Sequence, residues 1–411
     1  MAAQSESRKT GLDRLLKGQA PGNGELLGEI TVGLDSLTDF IKTQYLQTYI
    51  PQGGSKIKCV TGRPGCGKTH FAQALLKEAE AQGFLTVSFS AKEVWLHDFR
   101  GIYLEILRQC GIERVLEKCA GQIIRELGYD PEAIGPGKNL MDYLSERRES
   151  DPLSKGAIRD ALRRYFTRNP RLDNTFGGCC SLLTGGILGH PLLENASRDM
   201  ILGYLNGDKA VKLAQLRALG LSPSGITKYN ARHLLRSLCE LVRLAGYQGL
   251  LIVIDDMETL LNRAPGEAMR YTKLRREDTY ESIRQLIDDI DSMRNVMFLL
   301  CFRRELMDDD SYGMKSYQAL WMRIQNEVVA NRFNRFADII DLDRYADEMY
   351  SAEALCEMSR KLAWTLKEAD RELTPLSPDQ AGEIMRRAEF GSLGLPYLVN
   401  RALVEGGGSH V

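Results

Sequence analysis

Apolar residues along this chain recur in two rhythms, one of strand length and one of helical period. The run Leu250-Leu251-Ile252-Val253-Ile254 is unbroken by polar residues and ends in Asp255-Asp256. A strand buried on both faces, as in a parallel sheet, has that form. Other β-type stretches lie at 57–61, 86–89, 295–302 and 336–342. Helical spacing governs the intervals. Residues 70–78 read as an amphipathic helix, 229–245 as a helix leading into the run at 250, and 278–293 carries apolar residues at Tyr280, Ile283, Leu286, Ile287 and Ile290. Strand, helix and strand joined by short connections form the right-handed crossover of such a sheet.

Lys68 and Asp255 are much further apart than one or two crossover units, of about 30 residues each, can fill. The chain between 92 and 227 is therefore expected to be an inserted all-α subdomain. Its helical pieces lie at 103–110, 115–127, 155–167, 198–204 and 209–219. Gly135-Pro136-Gly137 and Gly177-Gly178 read as the breaks between them. Past residue 350 the spacing predicts helices at 352–367, 378–387 and 396–404. The expected organisation is a flexible leader at 1–28, a core at 29–345 interrupted by the insertion at 92–227, a helical lid at 346–405, and a disordered tail at 406–411.

Composition narrows the partners. With 43% hydrophobic and 27% charged residues over 411 positions, the chain is that of an ordinary soluble globular protein. A formal net charge of −1 exerts no global pull toward nucleic acid or membrane, so any such contact must be local. No apolar run reaches transmembrane length, and the polar start lacks the apolar stretch of a signal peptide. The nine cysteines are scattered without a C-x-x-C, which suits a reducing cytoplasm, and the adjacent Cys179-Cys180 reads as packing. The five histidines form no ligand constellation, so no metal site is expected beyond nucleotide-bound Mg²⁺.

One segment carries explicit chemistry. Gly62-Arg63-Pro64-Gly65-Cys66-Gly67-Lys68-Thr69 fits G-x-x-x-x-G-K-[ST], with a β-type stretch before it and a helix from His70 behind it. In such a loop backbone N–H groups wrap a phosphate chain, and the new helix points its positive dipole end at the same anion. Lys68 is expected to reach the β- and γ-phosphates of ATP, and the Thr69 hydroxyl to ligate Mg²⁺. The competing reading is a chance glycine-rich turn; the flanking strand and helix favour the nucleotide.

Asp255 ends a buried strand, on the edge where α/β proteins bind ligands, and would hold the Mg²⁺ shell through water. Asp256 stands where an acid commonly polarises the attacking water, and Glu258 is a second candidate for that base. The bland alternative is a strand followed by helix-capping acids. Arg303, just past the 295–302 strand, is the candidate sensor of the γ-phosphate. The fold class that follows is α/β: a P-loop NTPase core, AAA+-like, on a parallel sheet, with a large all-α insertion and a small C-terminal helical lid.

Two basic clusters stand out. Arg147, Arg148, Lys155, Arg159, Arg163, Arg164, Arg168 and Arg171 fall in the insertion, while Arg263, Arg270, Lys273, Arg275 and Arg276 are expected in a loop after Asp256, with Tyr271 among them. Either can meet a DNA backbone, and either can be a solvated charged face.

The chain resembles the P-loop family of ATP-binding proteins of BREX-type phage-defence systems, distant relatives of AAA+ and Orc/Cdc6-like ATPases. The likeness rests on Ala245-Gly246-Tyr247-Gln248-Gly249-Leu250 running into Ile254-Asp255-Asp256-Met257-Glu258, on 280–288, and on 317–324. Upstream, Ile30-Thr31-Val32-Gly33 matches the segment that packs on adenine in the family. The resemblance implies an ATP-dependent homo-oligomer working with other defence-system proteins on or near DNA, without a membrane. It places Gly62, Pro64, Gly65, Cys66, Gly67, Lys68, Thr69 and His70, with Ile30 and Gly33, around the nucleotide. It makes Thr69 and Asp255 the metal residues, and Arg323, Arg332 and Arg335 candidate arginine fingers. Two positions depart from the family: Asp256 stands in place of a glutamate, and Pro396 is followed by Tyr397 rather than arginine, with Arg401 one turn later.

Overall fold

The unbroken apolar runs become a sheet that needs cover on both faces. A computed structural model describes residues 2–262, 269–328 and 333–406. Its strands are β1 (Ser55–Thr61), β2 (Leu85–Ser90), β3 (Leu250–Asp255), β4 (Val296–Cys301) and β5 (Ile339–Asp341). They form one parallel sheet in the order β2-β3-β4-β1-β5. Side chains alternate between two cores. Leu250, Ile252 and Ile254 of β3 join Val296, Phe298 and Leu300 of β4 on one face, while Leu251, Val253, Met297, Leu299 and Cys301 pack on the other. Because β4 lies between β3 and β1, the C-terminal ends of these three strands sit side by side.

Between β2 and β3 every regular element among the described residues is helical, from Phe99–Cys110 to Ala231–Leu244. One expectation fails here. Gly177 and Gly178 do not break a helix but lie inside one, Asn174–Leu188. A Cβ on Gly177 would sit 2.9 Å from the Phe166 carbonyl oxygen, and one on Gly178 2.6 Å from Leu221 Cδ2. These glycines let the helix press against its neighbours, and Cys179 and Cys180 are buried in the same helix.

The flexible leader is a second correction. Residues 2–30 form helices Ala2–Leu16 and Gly24–Ile30, and Leu12, Leu15, Leu26 and Ile30 enter a core shared with Leu355, Leu362, Val399 and Leu403 near the other end of the chain. So polar a helix is marginal alone and is held by what it packs on. Arg8 clasps it to Glu368 at 2.7 Å and Glu29 at 3.0 Å, and Asn400 Nδ2 donates to the Leu15 carbonyl at 2.9 Å. Of the tail expected at 406–411, residues 407–411 lie outside the described residues.

The basic stretch after β3 is a third correction. Lys273, Arg275 and Arg276 stand in a helix, Lys273–Asp289, whose N-cap is Thr272. Arg276 is buried there, donating to the Tyr271 carbonyl at 3.0 Å and lying over the Tyr312 ring. Arg275 lies over Trp95, and Arg263 falls outside the described residues.

Candidate nucleotide-binding site

The turn at 62–67 joins β1 to helix Lys68–Ala81, which opens on Gly67 in the left-handed conformation at φ 100°. Lys68 is nearly buried, and its ammonium donates back to the carbonyls of Gly62 at 3.1 Å and Arg63 at 3.0 Å. Thr69 Oγ1 donates to Asp255 Oδ2 at 2.7 Å, so residues 186 positions apart meet at the sheet edge. Burial pushes the Asp255 carboxyl above its usual range, against the pull of the Thr69 bond. A hydroxyl and a carboxylate facing one cavity are the oxygen donors a hard divalent cation takes, so these residues fit Mg²⁺.

The two acids that follow point to different partners. Asp256 adopts the left-handed conformation, φ 57°, which an aspartate tolerates better than most residues. Its Oδ2 accepts from Ser90 Oγ at 2.7 Å and its Oδ1 from Lys92 Nζ at 2.7 Å. Glu258 Oε1 is ion-paired with Arg303, 2.9 Å from Nε, whereas its Oε2 is buried without a hydrogen-bond partner. Burial raises the Glu258 carboxyl pKa, and the nearby Arg303 and Lys68 charges oppose the rise.

A cavity of about 490 Å³ opens over this edge. Leu15, Ile30, Val32, Met358 and Leu362 make one part of its wall apolar, suited to a nucleobase, while the loop and acids make the other part polar. His70, on the same wall, has its pKa lowered by burial to about 4. Thr31 Oγ1 donates to the Leu27 carbonyl at 2.6 Å and lies 2.8 Å from His70 Nε2, which assigns the ring hydrogen to Nε2. The C-terminal helices hold the loop directly. Gly394 N donates to the Pro64 carbonyl at 2.9 Å, and Tyr397 N to that of Gly65 at 3.2 Å. Arg63 bridges the Asp343 carboxylate at 3.1 Å and the Gly391 carbonyl at 2.9 Å.

Pro64, Gly65, Cys66, Gly67, Lys68, Thr69 and His70 line the cavity, together with Asp255, Asp256, Glu258, Arg303 and Ile30. Gly62 and Gly33 stand behind it. The first supplies a carbonyl to Lys68, and the second packs its Cα face on Tyr350, where a Cβ would come within 2.4 Å of the ring. Arg323 lies elsewhere, held by Asp288 through two bonds of 2.9 Å. Arg335 is exposed beside the Phe40 ring, and Arg332 falls outside the described residues. Arg401 pairs with Glu405 rather than entering the cavity. Sequence reasoning missed Arg14, Gln19, Lys92, Tyr350 and Asn400 in the lining. No motif marks them, because each arrives through packing of distant segments.

The parallel sheet, the glycine-rich loop at its edge and the acid ending the second strand along have the form of a P-loop nucleotide-binding core. Comparison of sequences agrees: the chain matches the family described as BREX system ATP-binding protein BrxC/D over residues 4–128 and 174–397, most of its length. The chain belongs to that family. No match to a curated protein or to a solved structure was found.

Proposed function

We propose that this protein binds Mg-ATP between the sheet edge and the lid, and hydrolyses it to shift one against the other within a phage-defence assembly. The observation that carries the reading is the Thr69–Asp255 contact of 2.7 Å beside Lys68, which gathers phosphate and metal ligands at one point. Lys68 would exchange the carbonyls of Gly62 and Arg63 for the β- and γ-phosphates, and the start of helix Lys68–Ala81 adds its dipole. Thr69 and Asp255 would hold Mg²⁺, which when bound neutralises charge on the phosphate oxygens. Ile30, Val32, Met358 and Leu362 offer the adenine an apolar seat. Residues that bond to both loop and lid, Arg63 above all, make lid position sensitive to what the loop holds.

The strand order and the helical lid support an AAA+-like core working as a homo-oligomer, with Arg335 exposed as a finger for a neighbour's γ-phosphate. Family membership supports a cytoplasmic setting among other defence proteins; among the described residues no helix is long and apolar enough to cross a membrane. A second reading, a nucleotide-gated switch with little turnover, draws on Asp256, whose two oxygens already accept from Ser90 and Lys92.

ATP titration and steady-state turnover, wild type beside Lys68→Ala, test both. Removing charge-assisted bonds to phosphate is expected to weaken ATP binding by roughly tenfold to a hundredfold and to abolish hydrolysis. Equal affinity in the two proteins would sink the nucleotide site. Wild-type turnover no faster than Lys68→Ala, with binding intact, would leave the switch.

A further inference from the structure

We infer that Glu258, not Asp256, is the catalytic residue that receives the proton of the attacking water, and that Asp256 is a fixed strut between β3 and the chain after β2. The inference rests on the hydrolysis reading and assigns its base.

The backbone makes the division. At the end of β3 the left-handed turn at Asp256 diverts its short side chain sideways toward Ser90 and Lys92, the residues that end and follow β2. Both carboxylate oxygens are taken there, so a water would have to share an oxygen already accepting a hydroxyl or an ammonium. The same turn starts the short helix Met257–Leu261, which carries Glu258 back to the cavity wall. Glu258 is one methylene longer, 15% exposed at its side chain, and ion-paired with Arg303 through one oxygen. Its second oxygen has no partner, and a buried acceptor left unsatisfied is costly unless something is meant to meet it. The Arg303 charge holds one end of the carboxylate, which makes Arg303 a positioning residue for the base.

In the step itself the water oxygen forms a bond to the γ-phosphorus. The bond from that phosphorus to the β–γ bridging oxygen breaks, and its electron pair stays on ADP. The water proton passes to the Glu258 carboxylate, and the products are ADP and inorganic phosphate. The opposing interpretation makes Glu258 a structural anchor for Arg303, and it predicts a different phenotype.

Single-turnover hydrolysis and ATP affinity, measured on the full chain with Mg-ATP, separate the two for Glu258→Gln, Asp256→Asn and Lys68→Ala. Glu258→Gln should lose about a hundredfold in rate, the scale of a general base, with ATP affinity unchanged. Retained affinity also reports a folded protein. Asp256→Asn, which keeps an acceptor for Ser90, should lose less than about tenfold. A larger loss in Asp256→Asn than in Glu258→Gln, or equal losses, overturns the assignment. So does a Glu258→Gln protein that loses affinity in step with rate, the mark of an anchor. If wild type hydrolyses no faster than Lys68→Ala, the hydrolysis reading falls and takes the base with it; if only Glu258→Gln is as fast as wild type, the assignment alone falls.

Discussion

Gly394 shows how closely the C-terminal helices approach the glycine-rich loop. A Cβ there would lie 2.4 Å from both the nitrogen and the Cα of Cys66. These are backbone atoms in the loop itself and cannot swing aside as a side-chain tip can. Gly394→Ala is therefore expected to push the start of helix Leu395–Val404 away, breaking the bonds from Gly394 to Pro64 and from Tyr397 to Gly65. Two bonds of about 1 kcal/mol each put the expected loss of ATP affinity at up to roughly thirtyfold. Calorimetric titration checks it, and an unchanged affinity would mean the lid contact contributes nothing to the bound state. That Lys68, Thr69 and Asp255 share one cavity was legible in the sequence, because the glycine-rich loop and the acid ending a buried strand are local patterns. Gly394 was not, since its role depends on a loop more than three hundred positions earlier.

Among elements, the N-terminal helix Ala2–Leu16 separates expectation from structure most sharply. A flexible leader could be removed at no cost. The helix instead buries Leu12 and Leu15 against the C-terminal helices, and Leu15, Gly18, Gln19 and Ala20 line the cavity. Burial of two leucines is worth about 3–6 kcal/mol before the entropy of ordering is subtracted. Deletion of residues 2–20 should lower the melting temperature by several degrees, on the order of 2–4 °C per kcal/mol for a chain of this size or somewhat less. It should also weaken ATP binding. Thermal unfolding with and without ATP measures both, and a truncated protein that matches wild type in each would restore the leader. The sheet was readable because a run such as 250–255 has one stable use, burial between two layers. The helical extents were readable to within a few residues, as in Pro378–Phe390 against an expected 378–387. What misled were local signals with two meanings: Gly177-Gly178 as breaker or close approach, and the charges at 273–276 as loop or helix.

For the whole molecule, a net charge of −1 confines any DNA contact to patches. In the first basic cluster Arg147, Arg163, Arg164 and Arg171 are paired with Glu149, Asp160, Glu126 and Glu240. Arg148, Lys155, Arg159 and Arg168 have no ion pair among the described residues. This stretch lies between the two segments that match the family. If it meets a phosphate backbone, duplex retention should fall steeply with salt. Lys155→Glu with Arg159→Glu should then reduce the slope of log affinity against log salt by about one for each phosphate the variant no longer neutralises. Retention indifferent to the double reversal would remove the patch from consideration. The bond from Asn400 to Leu15 spans 385 positions and closes the cavity with material from both ends of the chain. On a translating ribosome, at about 5–20 residues per second, those partners emerge roughly 20 to 80 seconds apart. The glycine-rich loop is thus made early and the Asn400 side of the cavity much later, so a chain terminated before residue 395 carries the motif without that wall.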